Sequence, residues 1–207
     1  MVLKTIRSAT DKWTQKDGEF SFLFEPYEGD EVVALDCEMT DLDPQKAELV
    51  SIAAVKIKGT QVLTSDKLDI KLQKPDSLTG DSIKIHRIRG VDLRGGEILT
   101  DALDQLLHFV GNRPIMGYYI NYDITVLNRF IRPRFGFSLP NKTLELSNCY
   151  LDKVRRANPE LQPDLHFEKI AEKLGVPMVG ERHSALGDAI TTALMYVRLL
   201  KGPVPTC

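Results

Sequence analysis

Apolar and polar positions along this chain change period several times, and the changes mark out its elements. Glu31 opens a continuous apolar run, Val32-Val33-Ala34-Leu35, of the kind carried by a strand buried on both faces. Leu49 to Ile57 predicts a second strand, and Lys58-Gly59 a hairpin turn into a third from Gln61 to about Leu72. Pro75 and Gly80 break the pattern, and residues 81–96 read as irregular or briefly helical. Leu103, Leu106, Leu107 and Val110 then form one face of a helix that Thr100 can cap, with Asp101 and Asp104 in its first turns. Residues 114–120 predict another buried strand, followed by a helix through Asp123 to about Arg132 that Pro133 should stop. Further helices are expected around Cys149, from a cap at Asp164 to Leu174, and from Ser184 to about Lys201.

Residues 1–29 read as an accessory segment strapped onto the main domain. Leu3, Ile6, Thr10 and Trp13 recur at helical spacing, and Phe20, Phe22 and Phe24 alternate as an extended piece. The main domain is assigned to residues 30–201, and residues 202–207 form a tail whose prolines cannot continue the last helix. A meander of strands followed by helices alternating with at least one more strand implies an α/β fold, a sheet with helices on both faces.

Composition changes this picture little. The 207 residues, 43% apolar and 27% charged, suit an ordinary soluble domain, and the net charge of −2 gives no global basic field. Phosphate contacts, if made, must come from a local rim of Lys and Arg. Cys37, Cys149 and Cys207 form no CxxC pair, which argues against a disulfide framework or a zinc-cysteine site and fits a reducing cytosol. The charged N-terminus lacks an apolar core of signal type, and no run is long enough to span a bilayer, so a cytoplasmic protein without membrane contact is expected.

The informative residues are acids where core residues belong. Asp36 and Glu38 flank Cys37 at the end of the first strand, so both carboxylates share a face while Cys37 points into packing. Asp123 takes the first slot of the apolar stripe Val126, Leu127 and Phe130. Asp188 lies on a helix that is apolar on both sides and is expected to be buried with it. Singly, each has a bland reading: a first-turn acid favoured by the helix dipole, or a strand end in solvent. Gathered in one core they would repel, and divalent cations, which take carboxylate oxygens, are the economical compensation. His183, five residues before Asp188, is placed to present a ring able to accept a proton near neutral pH. His86, His108 and His166 read as structural or exposed on spacing alone.

In order along the chain these residues resemble the DEDDh, or DnaQ-like, exonucleases, a family that includes the proofreading subunit of bacterial DNA polymerase III and oligoribonuclease. Leu35-Asp36-Cys37-Glu38-Met39-Thr40-Asp41-Leu42 is similar to the first motif, Asn121-Tyr122-Asp123 to the second, and His183 with Asp188-Ala189 to the third. The resemblance covers roughly residues 31–200. It implies an RNase H-like mixed sheet, an antiparallel meander plus parallel strands, with Asp36, Glu38, Asp123 and Asp188 holding two Mg²⁺ or Mn²⁺ ions. Such a pair, about 3.5–4 Å apart, stabilises attacking and leaving oxygens in an in-line displacement. His183 would act as general base on the attacking water, releasing nucleoside 5′-monophosphates from a 3′ end. Met39, Thr40, Leu42, His86 and Tyr119 would contact substrate. Asp41, Tyr118-Tyr119, Arg87 and Arg89 depart from the family pattern, and all four departures bear on substrate rather than on metal. The implied partner is a single-stranded DNA or RNA 3′ end, with a separate polymerase or repair protein beside it. The alternatives are an oligoribonuclease-like enzyme acting on short RNA and a catalytically silent nucleic-acid-binding module.

Overall fold

The computed structural model describes residues 10–15 and 17–202. The sheet is built from β1 (Glu31–Met39), β2 (Leu49–Lys58), β3 (Gln61–Lys71), β4 (Ile115–Gly117) and β5 (Thr143–Glu145), in the order β3-β2-β1-β4-β5. β1, β2 and β3 form the expected antiparallel meander, and Gly59 takes the positive φ of 57° that its hairpin turn requires. β4 runs parallel to β1, and β5 parallel to β4. The mixed sheet implied by the motifs is therefore present.

Among the described residues, six α-helices follow or interrupt the strands: α1 (Gly80–His86), α2 (Leu99–Val110), α3 (Ile120–Phe135), α4 (Leu146–Ala157), α5 (Phe167–Leu174) and α6 (Ala185–Lys201). Alternate residues of β1 serve different layers. Val33 and Leu35 pack with α2 and α3 residues such as Leu103, Leu107, Val126 and Leu127. Ala34, pointing the other way, meets Ala193 of α6. On the α6 side, Met116, Tyr150, Phe167, Ile170 and Met195 join β4, α4, α5 and α6. Helices on both faces explain why β1 reads as an unbroken apolar run.

Several boundaries differ from the sequence expectation. Phe20, Phe22 and Phe24 lie at a 3₁₀ turn, Ser21–Phe24, rather than in an extended piece. The segment pairs with neither edge strand, β3 or β5, and the rings pack on His108, Phe135 and Phe137. Leu3 and Ile6 fall outside the described residues, and Trp13 is exposed. Thr100 does not cap α2, which begins at Leu99 behind Ile98 without a side-chain cap. Asp164 accepts from the His166 N–H in a turn ahead of α5, which starts only at Phe167. The strand expected over residues 114–120 shortens to Ile115–Gly117, because α3 already begins at Ile120. Pro133 sits inside α3 and does not stop it. A proline costs its local hydrogen bond, but Phe135 beyond it packs edge-on against Phe20, and Gly136 ends the helix at φ 80°.

Candidate active site

The sheet's parallel and antiparallel halves meet at β1, and β4 parts from it early. β1 pairs with β4 only at Val33↔Ile115 and Ala34↔Met116, so its C-terminal stretch from Asp36 onward has no β4 neighbour. Gly117 allows this close departure, since a Cβ there would lie 3.0 Å from the Leu35 carbonyl oxygen. Ligand sites in α/β sheets form where neighbouring strands diverge in this way.

Asp36 and Glu38 fall on the Ala34 side of β1, facing α6, while Cys37 packs into the opposite layer. Asp188 sits in the first turn of α6 and Asp123 in the first turn of α3, so two helix N-termini bring partial positive charge to these acids. Carboxylate oxygens of Asp36, Glu38 and Asp188 lie within 4.8 Å of one another. Asp123 lies outside that set but is tied to it: its Oδ1 accepts from the Cys37 N–H at 3.0 Å, between the two β1 acids. Glu38, Asp123 and Asp188 are all buried.

The electrostatics follow from crowding. Burial, then the charges of Asp123, Glu38 and Asp188, push the Asp36 carboxyl well above its usual range. Burial and the Asp188 charge take Glu38 up to about 8. Burial likewise raises Asp123 to about 7, against hydrogen bonds to its charged form. Asp188 is raised by burial and eased by Arg182. Like charges cannot all ionise in so small a space without a cation.

His183 stands at φ 62°, a left-handed backbone uncommon for a non-glycine residue, and its N–H donates to Asp188 Oδ2 at 3.0 Å. Its exposed ring is held below the ordinary histidine range by partial burial and by Arg182. The preceding loop is pressed onto α6 at Gly187, where a Cβ would lie 2.3 Å from the Val179 carbonyl oxygen. Thr191 Oγ1 donates to the Gly187 carbonyl and accepts from the Val179 N–H, fixing that approach. Position 187, between His183 and Asp188, thus requires glycine for a packing reason.

The expected substrate residues differ widely in exposure. Leu42 and Tyr119 are exposed apolar side chains, 84% and 68% accessible. Thr40 is buried, its hydroxyl shared between Ser77 Oγ and the Glu48 N–H, while Met39 is half-buried against the core. His86 is buried, its Nδ1 accepts from the Ile88 N–H, and its Nε2 has no partner. Asp41 makes a turn by accepting from the Asp43 N–H, and Tyr122 braces the turn by donating to the Asp41 carbonyl. Several basic residues are structural: Arg129 bonds the carbonyls of Pro44 and Ala47, and Lys153 those of Leu199 and Gly202. Arg87 pairs with Glu181 and Arg89 with Asp92.

Two polar groups were not anticipated from the sequence. Glu145 reaches across from the end of β5 to accept from the Tyr119 and Ile120 N–H groups, capping α3. Arg182 donates to Asp188 and supplies a positive charge beside Asp36 and Glu38. Neither has a sequence signature, because each works between segments distant in the chain or at a loop whose path is set by packing.

Residues 33–196 match the family described as RNase_T, Exonuclease. The chain belongs to that exonuclease family. Among relatives, a DNA polymerase III subunit epsilon of Aquifex aeolicus (strain VF5) is 29% identical over 82% of this exonuclease and 80% of its own length. The DNA polymerase III PolC-type of Thermotoga maritima is 28% identical over 82% of the chain but only 12% of its own length. An oligoribonuclease of Streptomyces griseus is 28% identical over 82% of the chain and 85% of its own length. The fold is shared with cell-death related nuclease 4 (TM-score 0.66, 15% identity, 83% of this chain and 64% of that one). It is shared also with E. coli Exonuclease I in complex with an oligonucleotide (TM-score 0.67, 18% identity, 86% and 42%). This exonuclease is accordingly a hydrolase of nuclease type, with an RNase H-like fold. A divalent ion of the kind its family uses fits the site on chemical grounds. The donors are hard carboxylate oxygens, their mutual repulsion calls for a cation, and Asp188 Oδ1 is buried with no hydrogen-bond partner. Among the described residues, no helix is long and apolar enough to cross a membrane.

Proposed function

We propose that this exonuclease removes nucleotides from the 3′ end of a single strand, releasing nucleoside 5′-monophosphates. The carrying observation is the convergence of half-buried Asp36 with buried Glu38 and Asp188 within 4.8 Å, with Asp123 hydrogen-bonded beside them. Asp36, Glu38 and Asp188 would hold two Mg²⁺ or Mn²⁺ ions, with Asp123 completing the set directly or through water. When bound, the ions supply charge stabilisation for the attacking and leaving oxygens of the phosphoryl group.

The remaining work falls to side chains of the chain itself. His183, held below the ordinary histidine range by partial burial and by Arg182, would take a proton from the attacking water. The water oxygen bonds to the terminal phosphorus, the bond from phosphorus to the 3′ oxygen breaks, and that oxygen leaves to take up a proton. Leu42 and Tyr119, exposed near the first and second motifs, offer apolar surface against which a terminal base can rest. A 5′-labelled oligonucleotide should be shortened one nucleotide at a time with Mn²⁺ or Mg²⁺, and left intact with EDTA. Equal digestion in both would refute the metal role.

DNA is the first reading of the substrate, in proofreading or repair beside a separate polymerase, because relatives include epsilon and PolC-type components of DNA polymerase III. Short RNA is the second, favoured by the oligoribonuclease that the chain matches over 85% of that protein's length. Matched DNA and RNA strands, from dinucleotides upward, separate the two by their relative kcat/KM.

A further inference from the structure

Arg182 belongs to none of the motifs, yet it is the basic side chain bonded directly into the acid centre. Its Nη1 donates to Asp188 Oδ2, and its Nε donates to Glu168 Oε1 of α5 at 2.9 Å. The guanidinium plane is backed by the Phe167 ring, 4.3 Å from its centroid, and that ring packs edge-on against Tyr118 at 5.1 Å. The group is thus held on its far side by a carboxylate and on one face by an aromatic ring. A guanidinium is suited to this because its donors sit in a rigid planar fork.

The consequence appears at Asp188. Oδ2 takes two donors, Arg182 Nη1 and the His183 N–H at 3.0 Å, while Oδ1 remains buried and unpartnered. We propose that Arg182 is a positioning residue that locks the rotation of the Asp188 carboxylate, reserving Oδ1 for a divalent ion and fixing His183 beside it. Groups that bond the outer oxygen or nitrogen of a metal ligand commonly set its orientation and affinity in this way. Glu168 anchors the far side of the guanidinium at 2.9 Å and so helps to fix the direction in which it meets Asp188. This inference rests on the metal-binding reading above.

The competing account is that Arg182 is a plain counter-ion which a metal would displace. The two differ in sign. Mn²⁺ binding to the full chain, without substrate, can be followed by isothermal titration calorimetry for the wild type, Arg182→Ala and Arg182→Lys. Circular dichroism and melting in chelator establish that each variant is folded. Removing a positioning group should weaken Mn²⁺ binding by about 10–100-fold; removing a counter-ion should leave it unchanged or tighten it. Arg182→Lys keeps the charge but loses the fork that spans Asp188 and Glu168, so it should recover little of the affinity. Full recovery in the lysine variant, or undiminished binding in the alanine variant, overturns the proposal. Should Arg182→Ala not fold, the lysine variant decides alone. No Mn²⁺ binding by the wild type would instead remove the metal-site reading itself.

Discussion

The two halves of β1 are adjacent in sequence and opposite in purpose. Val33, Ala34 and Leu35 are at most 1% exposed and meet apolar partners on both faces of the sheet. Two residues later the strand carries Asp36 and Glu38 into the same layer as Ala34, and there burial raises both carboxyls. The first half contributes stability; the second half consumes it. A fold can carry such a conflict because the sheet is anchored elsewhere, and a site where packing logic fails is where function is expected.

If this division holds, substitutions in the second half should abolish turnover without unfolding the chain. The largest effect is expected from Asp36→Asn, which keeps the shape but removes a charge that would hold the ions. Loss of ion-derived stabilisation worth several kcal/mol corresponds to a fall in kcat on the order of 10⁴-fold. In chelator the same variant should melt at a higher temperature than the wild type, because one carboxyl whose raised pKa opposes folding is gone. A variant that is both active and no more stable would erase the contrast between the halves. His183→Ala should slow the chemical step by about 10²–10⁴-fold while leaving Mn²⁺ affinity intact. A matching loss of Mn²⁺ binding would make His183 a ligand rather than a base.

How much of this could be read from the sequence also follows the division. The β1–β3 meander was legible because apolar runs and the Gly59 turn are local signals. The acids of the centre were legible because each breaks a periodic pattern in its own segment. What escaped depends on contacts made across the fold. Phe20, Phe22 and Phe24 alternate like a strand, yet burial against Phe137 and α2 rather than pairing set their conformation. Pro133 reads as a helix stop, yet packing of Phe135 outweighs the lost hydrogen bond. Arg182 and Glu145 act on backbone and side chains that only tertiary structure brings near. His183 was found by its spacing to Asp188; its left-handed backbone and the Gly187 contact that supports the loop were not.

The converse test lies in the first half. Leu35→Ala removes a side chain that is 1% exposed and should cost about 2–5 kcal/mol of stability. For a domain of this size that is a fall in Tm of about 4–20 °C. Below the new Tm, kcat per folded molecule should stay within about twofold, since the Leu35 side chain packs on the face of β1 opposite to Asp36 and Glu38. A kcat that fell in step with the acid variants would show that the two halves are not separable.

The smallest expected effect concerns pH. Glu38 is raised from 4.5 to about 8, by burial first and by the Asp188 charge second. Between those values the unfolded chain has released the proton and the folded chain keeps it, so folding binds protons and stability declines as pH rises. Asp36, shifted in the same direction, adds to the slope, and Asp123 contributes up to about 7. His86 and His183 are shifted downward, so their opposing contribution is complete once the unfolded histidines have deprotonated, near pH about 6.5. From pH 7 to 8.5 the carboxylates therefore act largely alone. Wild type in chelator should show a Tm that drifts down by a few degrees, roughly 2–4 °C for each kcal/mol lost. Glu38→Gln should flatten the drift, and saturating Mn²⁺ should abolish it, because bound cations remove the reason for the carboxyls to stay protonated. A Tm that is level or rising across that window in chelator would mean that the second half of β1 carries no electrostatic strain, and its contrast with the first half would disappear.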